Sequence, residues 1–258
     1  PRWTVVQGAR QTPAALRALL GADAAVEAGG DAATDPDDSI FVGRGGITLA
    51  RHSNDVERYA RQFAEKLGLA ASLASDIALA AWLHDIGKAD PRFQLLLRAG
   101  DEIELYKDET AWAKSMLPSG GAAMRRRARE RSGYPAGARH EVQSVAMIES
   151  MHDRVAVLAH DVDLVLHLVG SHHGFCRPFA PAVADEAPVE VALPLHESAC
   201  FAALSFAPVS SDNALHRLDS PLADRFWRLV SRYGWLELCW LEAILRLADH
   251  RASEEEQG

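Results

Sequence analysis

Cysteine is scarce in this chain of 258 residues: there are three, Cys176, Cys200 and Cys239, and no two of them form a C-x-x-C pair. An odd, scattered set excludes a disulfide framework and a zinc ribbon, and it fits a reducing, cytoplasmic setting. No run approaches the roughly 18 uninterrupted apolar residues of a membrane span. The N-terminus lacks the charged-then-apolar pattern of a signal peptide. The phosphate-cradling pattern G-x-x-x-x-G-K-S/T occurs nowhere, so the chain offers no ATP site of the P-loop kind. Positive charge is also in deficit. Lys and Arg number 27 against 36 Asp and Glu, a formal net charge of −9. A passive nucleic-acid-binding module is therefore disfavoured. An enzyme that holds cations is not, because bound metal supplies local positive charge and acidic side chains help to hold it.

What is present is a soluble-protein composition, 48% apolar and 24% charged, long enough to bury a substantial core. Residues 1 to 47 read as an irregular N-terminal extension or linker. They include a short helix after Thr12-Pro13, a polar Gly/Asp loop from Gly29 to Asp38, and an extended segment from Ser39. The chain opens at Pro1 rather than Met, which fits either a trimmed initiator or a piece of a longer polypeptide. From residue 48 to 258 the pattern is helical. Ser53 to Leu67 places Val56, Tyr59, Ala60, Phe63 and Leu67 on one stripe and stops at Gly68. A second helix, capped by Ser72 and reaching Ile86, is apolar nearly all round, so it should be buried, and Gly87 should end it. Asp90-Pro91 starts a third. Residues 100 to 139 interrupt the rhythm as an exposed insertion carrying Arg125, Arg126, Arg127, Arg129 and Arg131. Helices follow at 140–151 and 161–171. A proline-rich stretch spans 177–194, and a last helix runs from Pro221 to His250 with a bend near Gly234. Trp227, Trp235 and Trp240 on that helix read as core.

Of the eleven histidines, His52, His84, His140, His172 and His173 fall at helix ends or on helices expected to be buried; Asp85 follows His84, and Asp249 lies near the end of the chain. Imidazole and carboxylate together suit borderline first-row divalent metals. Neighbours on a helix point about 100° apart, so His84 and Asp85 do not converge as an i,i+4 pair would. Around two metals roughly 4 Å apart, however, the carboxylate of such a pair can bridge both.

His84-Asp85-Ile86-Gly87-Lys88 is the most specific piece, and it resembles the HD phosphohydrolase superfamily. Leu49-Ala50-Arg51-His52-Ser53, Arg139-His140-Glu141, Ser171-His172-His173-Gly174 and Ala248-Asp249-His250-Arg251-Ala252-Ser253 narrow the likeness. In that order they resemble the motifs of the HD nuclease domain of the CRISPR type I helicase-nuclease, over residues 48 to 253.

The resemblance implies an all-α, HD-type helical bundle with loop insertions. It implies a metal-dependent endonuclease or exonuclease that hydrolyses single-stranded DNA by two-metal chemistry with hydroxide attack, in antiviral defence. One ion would be held by His52, His84, Asp85 and Asp249, the other by Asp85, His140, His172 and His173, with Asp85 bridging. Lys88 would neutralise phosphate charge, and Ser253, in a loop after Asp249, would face the site. Five histidines favour Mn, Fe, Co or Ni, with Mg the all-oxygen alternative. The implied partners are single-stranded DNA, a helicase domain or subunit, and a guide-RNA surveillance complex.

Other readings stay open at this point. Lys88 has a rival reading as a solvated lysine at a helix C-terminus. The arginine run reads as a solvated face or as a strand-guiding patch. Cys176 is expected to be a passive thiol. The whole domain could instead be a nucleotide or cyclic-dinucleotide phosphohydrolase, or a catalytically inactive, metal-stabilised docking module.

Overall fold

The computed structural model describes residues 46–115, 122–183 and 185–257. The expected helix after Thr12-Pro13, the Gly/Asp loop and the segment at Ser39 lie outside the described residues. Those residues belong to one unit, Pro36–Gly258. They form ten α-helices and two small antiparallel ribbons, the all-α class that the sequence pattern leads one to expect.

Strand β1 (Ile47–Thr48) leads into α1 (Leu49–Lys66). The helix starts earlier than its apolar stripe suggests, because Thr48 caps it: the Thr48 hydroxyl accepts from the Arg51 amide. His52 therefore sits inside the first turns, on the buried stripe with Val56, Tyr59 and Ala60. Gly68, at φ +69°, closes the helix in the left-handed region.

Helix α2 (Ala71–Leu83) is buried on all sides from Ile77 onward, as its continuous apolar run requires, and it packs against α1. Ser72 does not cap it; the capping position is Ala70, which makes no side-chain bond. The helix also stops at Leu83, short of Ile86. His84 and Asp85 lie just past its end, followed by a 3-10 turn, Ile86–Ala89. Gly87 is thus no helix terminator. It is the point where that turn presses on the next layer.

Asp90 caps α3 (Pro91–Leu97) by accepting from the Arg92 amide. The insertion between residues 100 and 139 is more ordered than its punctuation suggests. It holds α4 (Glu102–Lys107), β2 (Trp112–Lys114) and α5 (Ala122–Ser132). Strand β2 pairs antiparallel with β1, with Ile47 opposite Lys114. Helix α5 docks on α3 through Ala128, which joins Phe93, Leu96, Leu97 and Tyr134 in a satellite cluster.

Helices α6 (His140–Ser150), α7 (His152–Leu158) and α8 (Val162–Ser171) follow. Asp76 of α2 ties down the start of α8 by accepting from the His160 and Asp161 amides. The proline-rich stretch runs into a hairpin of β3 (Glu190–His196) and β4 (Leu204–Ser210), which buries Val191, Leu193, Leu204 and Phe206 at period-two spacing. Last come α9 (Pro221–Tyr233) and α10 (Trp235–Gln257), separated at Gly234.

Trp227, Trp235 and Trp240 are not core residues. They are 51%, 57% and 61% exposed. The inward stripes of α9 and α10 are Leu222, Phe226 and Leu229, then Leu238, Leu241, Leu245 and Ala248, and the three indoles fall off them. Trp227 and Trp235 meet edge to face instead, 5.5 Å apart between ring centroids.

Candidate metal centre

Five separate elements deliver the expected residues to one buried place. α1 supplies His52, the end of α2 supplies His84 and Asp85, the first turn of α6 supplies His140, the end of α8 supplies His172 and His173, and α10 supplies Asp249. Asp85 lies at the middle. Its Oδ2 is 3.5 Å from His52 Nε2, 3.3 Å from His84 Nε2 and 2.7 Å from Lys88 Nζ. Its Oδ1 is 3.0 Å from His140 Nε2 and 3.7 Å from His172 Nε2. Asp249 Oδ1 lies 3.2 Å from His52 Nε2. His173 stacks obliquely on His172, with centroids 4.1 Å apart. Within each of the two groups, His52–His84–Asp85 and His140–His172–His173, the potential ligand atoms lie within 4.8 Å of one another. The two oxygens of one carboxylate thus face two clusters of imidazole.

The helix ends explain why the rings point this way. His84 and His172 each cap the helix before them, with Nδ1 on the carbonyl three residues back: Ala81 at 2.7 Å and Val169 at 2.6 Å. These carbonyls would otherwise be orphaned at the helix C-terminus. A carbonyl can only accept, so Nδ1 carries the proton, and the lone pair of the neutral ring sits on Nε2, aimed at Asp85. Both Nε2 atoms are buried and make no hydrogen bond. His52 is held the same way by a carboxylate: its Nδ1 lies 2.9 Å from Glu256 Oε1. At the first turn of α6, Glu141 Oε2 is 3.6 Å from His140 Nδ1.

Charge states follow from the crowding. Burial pushes the Asp85 carboxyl up, but the charges of His84 and Lys88 and a hydrogen bond from His140 hold it well below the usual range. Asp249 is likewise held low, against burial, by His52. His172 and His173 are driven down by burial and by neighbouring imidazoles, His173 to about 3. His52 moves the other way: despite burial, Asp249 and Glu256 raise it to about 8. His140 is raised too, against burial, by Glu141 and Asp85. At neutral pH the carboxylates are therefore ionised and His172 and His173 neutral, the states in which these groups bind metal, whereas His52 and His140 hold their protons more tightly than a free imidazole.

His52 must lose its Nε2 proton before it can take a cation. Mn²⁺ uptake near pH 7 is accordingly expected to release about one proton from His52 and a further fraction from His140, and the apparent affinity to rise about tenfold or more per pH unit until His52 is neutral above pH 8. Without metal, the sign is reversed. The folded value of His52 lies above its unfolded 6.5, so the stability it contributes is full below pH 6.5 and fades as pH rises through 8. Calorimetric titration of Mn²⁺ in buffers of different ionisation heat measures the released proton.

Buried imidazole nitrogens without hydrogen bonds, together with ionised carboxylates, form a donor set that fits divalent transition metals. Lys88 is 5% exposed, which excludes its reading as a solvated helix-end lysine. Ser253 lies on α10, not in a loop: the helix continues past Asp249 to Gln257, and the Ser253 hydroxyl contacts Asp249 and Lys114. Arg126 and Arg127 are exposed on α5, and Arg125 and Arg129 are partly so; that helix packs chiefly on α3 rather than on the histidine-bearing helices. Cys176 is buried, and burial pushes its thiol up to about 12, so it stays protonated. His167 and His196 are structural, bonded to Glu242 and to the Trp82 carbonyl.

Sequence reasoning missed Glu256 and Lys114. Asp249, Ser253 and Glu256 recur at i, i+4 and i+7, one helical face, and that spacing could have flagged Glu256. Lys114 left no local signal, because its place depends on the pairing of β2 with β1.

A family model described as "Cas3, HD domain" matches residues 43–256. No curated protein and no solved structure matches.

Proposed function

The chain belongs to the Cas3 HD-domain family, the metal-dependent HD nucleases of CRISPR type I systems, and from that premise we propose that it hydrolyses phosphodiester bonds of single-stranded DNA at the Asp85 centre. The observation that carries the reading is the placing of the two Asp85 oxygens toward separate histidine groups. His52, His84, Asp85 and Asp249 would hold one divalent ion, and Asp85, His140, His172 and His173 a second, from Mn, Fe, Co or Ni. Bound divalent metal supplies the Lewis-acid charge that makes water nucleophilic at neutral pH and that stabilises the phosphate oxygens.

The chain's own residues do the rest. The helix-end carbonyls keep the His84 and His172 lone pairs on Nε2, aimed at Asp85. Asp85 remains ionised, and Lys88 holds an ammonium beside it where an anionic phosphate would approach. No P-loop lies in the sequence, so a helicase domain or subunit would feed the strand and a guide-RNA complex would select it. The arginines of α5 are candidates for contact with the strand.

Incubation of the purified chain with Mn²⁺ and circular single-stranded DNA tests the proposal. Linearised and then fragmented circles are expected. Intact circles, with phosphate released from nucleotides or cyclic dinucleotides opened to linear ones instead, would point to a nucleotide phosphohydrolase. Intact circles with no hydrolysis of any of these would leave a metal-stabilised docking module.

A further inference from the structure

Beyond the residues that face the centre, a buried charge relay grips it from behind. Lys114, on β2, is only 4% exposed at its side chain and sits 2.9 Å from Glu256 Oε2, whose side chain is 1% exposed. The other oxygen of Glu256 receives the His52 ring at Nδ1. The Lys114 ammonium also donates to the Ser253 hydroxyl, and that hydroxyl donates at 3.4 Å to Asp249 Oδ1. One cation thus anchors two arms, one ending on His52 and the other on Asp249. Pairing of β2 with β1 places Lys114 there, next to the helix start that carries His52. An ionised carboxylate can only accept, so the contact favours a proton on Nδ1, and when His52 gives up one proton Nε2, on the Asp85 and Asp249 side, is the nitrogen left free for a cation.

We propose that Glu256 is the positioning residue for His52, that Lys114 holds Glu256 and Ser253 in place, and that this pair sets the metal affinity of the His52–Asp249 half of the centre. The inference rests on the metal-site reading above. It also accounts for a buried lysine and glutamate outside the motif residues. Two buried charges are costly unless they are matched; here they form an ion pair, and each has a second partner at the site, Ser253 for Lys114 and His52 for Glu256.

The test uses the full chain and Mn²⁺. Removing Glu256 alone would strand Lys114, so the main variant removes both charges together, Glu256→Leu with Lys114→Met. A second variant, Glu256→Gln with Lys114→Met, removes the same charges but keeps one acceptor oxygen for His52. Calorimetry of Mn²⁺ binding should show the main variant about tenfold or more weaker at one of two sites, with the other unchanged. Glu256→Gln with Lys114→Met should retain most of the affinity, because its amide oxygen can still accept from His52 Nδ1. Nitrogen-15 spectra of the metal-free proteins above about pH 9, where His52 is neutral, read the tautomer directly: Nδ1–H at His52 in the native chain, and loss of that preference in the main variant. Loss of the Nδ1–H preference at His52 alone, with the other rings unchanged, is an effect that a merely structural role would not produce. Native affinity at both sites in the main variant, or an unchanged His52 tautomer there, would overturn the proposal. A native chain that bound no Mn²⁺ would instead remove the metal reading, and the tautomer of His52 would still decide whether Glu256 positions it.

Discussion

Replacing Asp85 with Asn is expected to lower hydrolysis of single-stranded DNA by about 10³-fold or more, a loss of about 4 kcal/mol of transition-state stabilisation. The size follows from the position of this side chain between the two histidine groups. Asn has the same shape but one oxygen and no charge. It can face His140 and His172 or His52 and His84, but it cannot attract cations on both sides. The metal content of the variant should fall below that of the native chain in proportion to the lost activity. Asp85→Ala should be as inactive and also less stable. It removes the carboxylate that lies 2.7 Å from the buried Lys88 ammonium in the native protein, and breaking a buried ion pair costs about 3–5 kcal/mol. Assaying Asn and Ala side by side, with the folded fraction measured by circular dichroism, separates chemistry from stability. An Asn variant within tenfold of native activity would show that the reaction does not run through this carboxylate.

Gly87→Ala is expected to damage both stability and the metal centre. A Cβ at this position would fall 2.1 Å from the His140 carbonyl oxygen and 2.6 Å from the Ser144 amide nitrogen. Both are backbone atoms of α6, so no side-chain rotation can relieve the overlap. The glycine amide also donates to the Ser144 hydroxyl, and that hydroxyl donates to the His140 carbonyl. Glycine is therefore needed here for closeness, not for an unusual φ. The first turn of α6 must retreat to admit the methyl, and His140 goes with it, away from Asp85. The expected result is destabilisation of about 3 kcal/mol, near the upper end for overpacked sites. For a chain of this size that is roughly a 10 °C drop in Tm. A loss of metal at the His140–His172–His173 group should accompany it. Thermal unfolding with and without Mn²⁺ measures both, and a Tm within about 2 °C of native would contradict the close approach.

How far the sequence could be read depended on whether a feature is local. The helical class, the break at Gly234, the cap at Asp90 and the helix over 140–150 are set by spacing and punctuation within a dozen residues. The His84-Asp85-Ile86-Gly87-Lys88 run marked the centre because those five residues meet within two turns. The misreadings came where tertiary packing decides. The sequence pattern has Ser72 as a cap and Gly87 as a stop, yet α2 ends at Leu83 so that His84 can fold back on Ala81. The three tryptophans of α9 and α10 read as core by spacing alone. Which face turns inward was settled by leucines on those same helices. The β3–β4 hairpin was hidden by Pro194, which is exposed within β3 where its missing N–H does little harm. Lys114 and Glu256 lie 142 positions apart in the chain, and only the closing of β2 onto β1 and the docking of α10 bring them together.

The central claim is that one carboxylate joins two cation sites. Anomalous-difference maps from crystals of the Mn²⁺-loaded chain test it most directly. Two peaks are predicted, one on each side of the Asp85 carboxylate, the first among His52, His84 and Asp249 and the second among His140, His172 and His173. A single peak, or peaks away from Asp85, would contradict the account.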